Sequence, residues 1–334
     1  MRPLLFAGLA LIALSSHDMY LKLDGYFLKP ESVATIQLFN GTFARSDNTI
    51  DRNRMLDVSL VGGGSRMQVD TNQWTEIGET TVLNLMTGAP GTYVAGVSTR
   101  ARNIAMDADA FNNYLEHDGV VDMLAERRST GKDKDDAVEK YAKHVKTIFQ
   151  VGSEKTDDWK TVLGYPIEFV PLSNPYALHR GDEFSVRLLL NGEPLAGQLV
   201  LIDSEGGDHG HSHSHDGETD HDHGEGAEDH THTDGTEART DEDGVLTFEI
   251  TNDGDWFLRT IYMTETEEEG LTHESNWTTL TFGVDHEQEH SHDHEEAHAE
   301  GHDHEHAGGI PGYAYWIGSL LLVGALFMYF SRKG

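Results

Sequence analysis

The chain has 334 residues, no cysteine and a formal net charge of -34 at neutral pH. That length suits about two domains. The lack of cysteine excludes disulfides, thiolate metal sites and thiol nucleophiles, and the acidity excludes a nucleic-acid partner, because phosphate binding needs a basic patch.

The first predicted element is a signal peptide over residues 1–16. Arg2 supplies a basic start, residues 4–14 are apolar, and Ser15 and Ser16 are small residues suited to cleavage. Cleavage after Ser16 makes His17 the mature N-terminus, where the α-amine and a ring nitrogen can chelate one metal. Cleavage after Ser15, which the small Ala13 favours, leaves Ser16-His17 and an amine, amide and imidazole set. Both sites stay open.

Residues 17–172 read as a β-sandwich. The stretches "VATIQLF" (33–39), "MLDVSLV" (55–61), "TTVLNLM" (80–86) and "TYVAGVS" (92–98) alternate and are rich in β-branched residues, with turn signals between them. A helical insertion is predicted over about 107–150. Asp107 caps a helix carrying Phe111, Tyr114 and Leu115, and Gly119 ends it. A second helix carries Val120, Met123 and Leu124. A third, from about Asp135, places Ala137, Tyr141, Val145 and Ile148 on one face.

Residues 173–284 read as a second sandwich, immunoglobulin-like or transthyretin-like, with strands beginning near Phe184, Gln198, Val245, Trp256 and Asn276. The fold class expected is mainly β: two β-sandwich domains, a small helical insertion in the first, and a C-terminal transmembrane helix.

Two histidine-rich runs interrupt this pattern. The insert at 206–236 carries His209, His211, His213, His215, His221, His223, His230 and His232. The linker at 285–308 carries His286, His290, His292, His294, His298, His302, His304 and His306. Together they hold 16 of the 21 histidines, and each run carries 9 acids and no Lys or Arg. They offer no apolar face to offset the entropy of ordering, so disordered loops are expected. Neutral imidazole suits Ni, Co, Zn and Cu, and flexible spacing permits many ligand sets of low selectivity. A solvated acidic spacer is the alternative.

Residues 310–330 carry no charge and cover about 30 Å as a helix, the thickness of a bilayer core. Arg332 and Lys333 follow, placing a tail at 332–334 in the cytoplasm and the domains outside it. The membrane helix is expected over 309–331.

The remaining signals are weaker. His117, His144, His179 and His273 are scattered, and His144 reads as a structural side chain. "TDEDG" at 240–244 lacks the twelfth-position Glu of a calcium loop and reads as a turn. "NGT" at Asn40 and "NWT" at Asn276 match glycosylation acceptors, which in a bacterial chain would be chance. No nucleophile elbow, phosphate loop or dinucleotide fingerprint is present.

The stretches "HDMYLKLDGYFLKP", "QLFNGTF", "RMLDVSLVG", "YVAGVSTRARNI", "KYAKHVKTIFQVG", "GYPIEFVPLSNPY" and "NGEPLAGQLV" resemble bacterial periplasmic domains of unknown function often labelled nickel or cobalt uptake components. The resemblance covers roughly residues 16–284, and His17 matches the family's opening histidine. It implies an exported β-sandwich pair handling a transition metal beside an inner-membrane transporter. The expectation is therefore a non-enzymatic, single-pass protein of the bacterial inner membrane that binds Ni, Co, Zn or Cu in the periplasm and assists uptake or homeostasis. The alternatives are a copper-brace oxidative enzyme acting on an extracellular polymer, and an interaction module with an acidic spacer.

Overall fold

The computed structural model describes residues 17–205 and 235–284. The expected signal peptide, nearly all of the histidine-rich insert, the 285–308 linker, the 309–331 membrane helix and the cytoplasmic tail lie outside them. Among the described residues no helix is long and apolar enough to cross a membrane.

In chain order the strands are β1 (Asp18–Leu23), β2 (Phe27–Leu28), β3 (Val33–Gly41), β4 (Met55–Gly62), β5 (Ser65–Gln68), β6 (Trp74–Ile77), β7 (Thr80–Met86), β8 (Gly91–Thr99) and β9 (Arg102–Met106). Two helices follow, α1 (Ala108–His117) and α2 (Val121–Thr130). Then come β10 (Ala137–Val151), β11 (Ile167–Pro171), β12 (Glu183–Leu190), β13 (Glu193–Pro194), β14 (Leu199–Glu205), β15 (Thr236–Arg239), β16 (Val245–Glu249), β17 (Gly254–Glu265) and β18 (His273–Val284). The chain is mainly β, and every stretch read as a strand from its alternation is one.

The strands form three sheets. The first is β1-β3-β7-β6. The central sheet runs β15-β14-β17-β18-β10-β8-β4-β5, with β2 and β9 also on β10. The third is built on β12, which pairs with β11, β13 and β16. The halves expected at 17–172 and 173–284 share the central sheet, because β10 and β18 pair in parallel from Glu139↔His273 to Thr147↔Thr281.

Strand alternation decides what covers each face. On β18, the Thr279 and Thr281 hydroxyls donate to the backbone oxygens of Met19 and Leu21 in β1. Their neighbour Phe282 points the other way and meets Phe184 of β12, ring centroids 5.0 Å apart. The first and third sheets therefore lie on opposite faces of the central one. The helices share the face of the first sheet, since Tyr114 of α1 stacks on Trp277 of β18 at 6.0 Å.

The main core fills both sheet interfaces, with Leu21, Ile36, Val58 and Val97 on one side and Phe169, Phe184, Leu258 and Leu280 on the other. A second apolar cluster under the helices contains Phe111, Leu115, Met123, Leu124, Ile261 and Trp277. The first two of the three predicted helices form. The Asp107 side chain accepts from Ala110 N at 2.8 Å, satisfying one free donor of the first turn. Gly131 ends α2 in the left-handed region at φ 76°, which a residue with a Cβ adopts only at a cost.

The third helix, expected from about Asp135, is instead β10. Ala137, Tyr141 and Val145 are spaced by four, which places them on one side of a helix and equally on one face of a strand, since four is a multiple of two. Ile148 falls on the other face. From Lys143 to Val151 every residue is buried, so the strand is covered on both faces and shows no alternation of polarity.

Candidate functional site

Of the seventeen histidines expected to bind metal, only His17 is described. The insert and linker histidines, 209–232 and 286–306, lie outside the described residues, but the points where those runs leave the folded body are defined. Glu205, the last residue of β14, pairs with Asp255 at the start of β17. Val284, the last residue of β18, pairs with Gly254. On the return path Thr236 pairs with Ile202. Both runs therefore depart from one end of the central sheet, on either side of β17, at two strand spacings or about 10 Å. That end is acidic. Burial raises the pKa of Asp255, with Lys22 opposing and Glu205 adding to the rise. Lys22 Nζ lies 2.5 Å from Glu205.

His17 stands just before β1 and away from that end, over the middle of β18: Thr279 reaches the Met19 carbonyl, and Lys143, the register partner of Trp277, reaches the His17 carbonyl. Its Nδ1 lies 3.3 Å from Asp47 and its Nε2 3.4 Å from the Asn48 amide. Burial lowers its pKa, and Asp47 opposes the fall. A lowered pKa keeps the imidazole neutral and available as a ligand at neutral pH. Among the described residues no group of three or more His, Asp or Glu side chains is placed to hold a metal.

Behind His17 lies a buried charged cluster between the first sheet and the helices. Arg259 of β17 reaches Asp18 at 2.6 Å and Asp118, at the end of α1, at 2.7 Å. One guanidinium thus fastens β1 and the helical pair to the central sheet. Lys143 of β10 donates to the His17 carbonyl, and its Nζ sits 4.6 Å from the Trp277 ring centre. Burial pulls Lys143 down to about 8, against Asp18. Glu139, on the same face, accepts from the Tyr114 and Ser275 hydroxyls, and burial raises its pKa.

The scattered histidines do not gather. His144 is 2 % exposed, with Nδ1 2.9 Å from Ser98 Oγ and Nε2 3.1 Å from Asn276 Oδ1. The three residues have the order of a nucleophile, base and orienting group, but Ser98 is 3 % exposed and the set is sealed between sheets. It orders the core rather than reaching a substrate. Asn276, in the "NWT" acceptor pattern, spends its side chain on His144. His273 is 2 % exposed and packs on Phe111 at 4.7 Å. His117 and His179 are exposed, and His179 pairs with Asp182 at 3.5 Å.

Sequence reading passed over Arg54, Lys143, Lys146 and Arg259. The available signal was a charged residue inside an apolar strand, as in "YAKHVKTIF" and "WFLRTIYM". In a half-covered strand such a residue faces water; in a strand covered on both sides it must find a partner inside.

No curated protein matches the chain. Among solved structures, the D0-D1 domain of Intimin is 10% identical over 80% of this chain and 98% of its own, with a TM-score of 0.18. Trypsin-activated alpha-2-macroglobulin from Escherichia coli is 10% identical over 80% of this chain and 16% of its own, also with a TM-score of 0.18. A TM-score of that size establishes no shared fold. A family model matches residues 14–264, three quarters of the sequence, and the chain belongs to that family, described as Domain of unknown function (DUF4198).

Proposed function

We propose that this chain is an exported transition-metal-binding protein, anchored by its tail in the bacterial inner membrane, that gathers Ni, Co, Zn or Cu beside a membrane transporter. The observation that carries the reading is the shared exit of the two histidine-rich runs. Sixteen imidazoles are tethered at one end of a rigid sheet, which raises their local concentration well above that of a free peptide. A spacer would need length and charge alone; the histidines add affinity for borderline metals. The folded body serves as the platform, and the resemblance to nickel and cobalt uptake components agrees with the metal class. His17 is a separate, firmer ligand in this reading, completed by the α-amine that cleavage would create.

Replacing residues 206–234 with a short Gly-Ser linker leaves the β14–β15 pairing intact. The variant is expected to melt within about 2 °C of the parent, as a surface change remote from the core does. It should lose several weak metal equivalents in a calorimetric titration with Ni or Zn. Unchanged stoichiometry would remove the metal reading. The topology has its own check: a reporter fused after Gly334 should be active only if it is one that works in the cytoplasm. Activity of an export-dependent reporter there would overturn the proposed anchoring.

A further inference from the structure

Arg54 and Lys143 are two buried cations, and neither is in a direct salt bridge among the described residues; Lys143 donates to the His17 carbonyl. Arg54 ends the turn that leads into β4 and is 9 % exposed, yet its Nε and Nη2 are buried without a hydrogen-bond partner among the described residues. Lys143 is 6 % exposed. Both sit against one ring: the Arg54 guanidinium carbon is 5.4 Å and the Lys143 ammonium 5.9 Å from the centre of Tyr141. Tyr141 is only partly buried, so the pair lies one side chain below the surface.

The acids nearby are committed elsewhere. Asp18 and Asp118 hold Arg259. Glu139 holds the Tyr114 and Ser275 hydroxyls. Asp51 is exposed, and its carboxylate accepts from Asn53 N. Burial lowers the pKa of Arg54 against the pull of Tyr141, and Arg102 adds to the fall; Arg54 in turn helps to lower Lys143. A buried guanidinium with open donors is costly unless something fills them.

We propose that Arg54 and Lys143, flanking Tyr141, form a binding site for a small oxyanion bearing phosphate or carboxylate oxygens. Arg54 offers two donors at its free Nε–Nη2 edge, the geometry that receives two oxygens of one group. Lys143 supplies a second positive charge, and Tyr141 and Trp277 wall the site with aromatic surface. This site is independent of the histidine-rich runs and does not rest on the metal reading.

The test uses the full chain with inorganic phosphate and with succinate, each against chloride at matched ionic strength. One or both should raise the thermal midpoint by about 5 °C near saturation, as ligand linkage requires. The same titration should change the fluorescence of Trp277, 4.6 Å from Lys143. A response to phosphate alone assigns a phosphate ligand, and a response to succinate alone assigns a carboxylate. Arg54→Met and Lys143→Met should each abolish the response. Arg54→Met should also leave the anion-free midpoint unchanged or raised, because it removes an unpaired buried charge. An Arg54 kept for packing would instead lower the midpoint when replaced. No shift beyond chloride in the parent, or a response that survives both substitutions, would overturn the site.

Discussion

Lowering the pH from 7.5 to about 4.5 should destabilise the folded body through His144 and His273, by roughly 2 to 3 kcal/mol for each. Burial lowers both to about 4, from an unfolded value near 6.5. Around His144, Ser98 and Asn276 occupy the ring nitrogens; the Asn276 bond and the Glu168 charge pull the other way but do not restore the ordinary value. Around His273, Thr272 Oγ1 meets Nδ1, Phe111 covers the ring and Nε2 has no hydrogen-bond partner among the described residues. Arg127 and Lys132 deepen its fall, and Glu265 opposes it. Below pH 6.5 the unfolded chain takes up protons that the folded chain refuses. The stabilisation from these groups is therefore complete above 6.5 and is lost as the pH falls toward 4. Chemical denaturation at steps across that range measures it. His144→Gln and His273→Gln should each flatten the profile by about one proton. Parent and variants with the same profile would mean that these rings are not held neutral.

The composition of the runs was readable at once, because a histidine-rich polar segment declares its chemistry without a fold. Their common origin at one sheet end was not, since it depends on β14 and β18 flanking β17, a pairing that joins residues tens of positions apart. The parallel pairing of β10 with β18 links residues more than 130 positions apart, and no local pattern encodes it. Mistaking β10 for a helix hid the buried cluster as well. Three residues apart, Lys143 and Lys146 would share one solvated side of a helix. On a strand an odd spacing sends them to opposite faces: Lys143 toward the His17 carbonyl before β1, and Lys146 toward β11. Each then lies in an interior that the helix reading did not contain.

Lys146 marks the largest single dependence expected in the fold. Its Nζ lies 2.6 Å from Glu168 Oε2 and donates to the Phe169 carbonyl, and both charged side chains are 2 % exposed. Glu168 also accepts from three backbone N–H groups, Leu163 and Gly164 at 2.9 and 2.7 Å and Tyr165 at 3.2 Å. The carboxylate thus shapes the loop before β11 while neutralising the lysine beneath it. Glu168→Ala leaves a buried ammonium without its counter-charge and three amides without their acceptor, so a loss of about 5 kcal/mol is expected. Lys146→Met leaves the carboxylate its three amides and fills the space with a side chain of similar length. Its cost should be smaller, about 3 kcal/mol. The double variant removes the stranded lysine and should be more stable than the sum of the single losses implies, with a coupling of about 1 to 3 kcal/mol. Urea denaturation of the parent and three variants at neutral pH measures the cycle. Additive losses would mean that the two side chains stabilise the sheets separately. The loop would then be ordered by its backbone contacts to Glu168 alone, and Lys146 would be held by the Phe169 carbonyl rather than by the charge beside it.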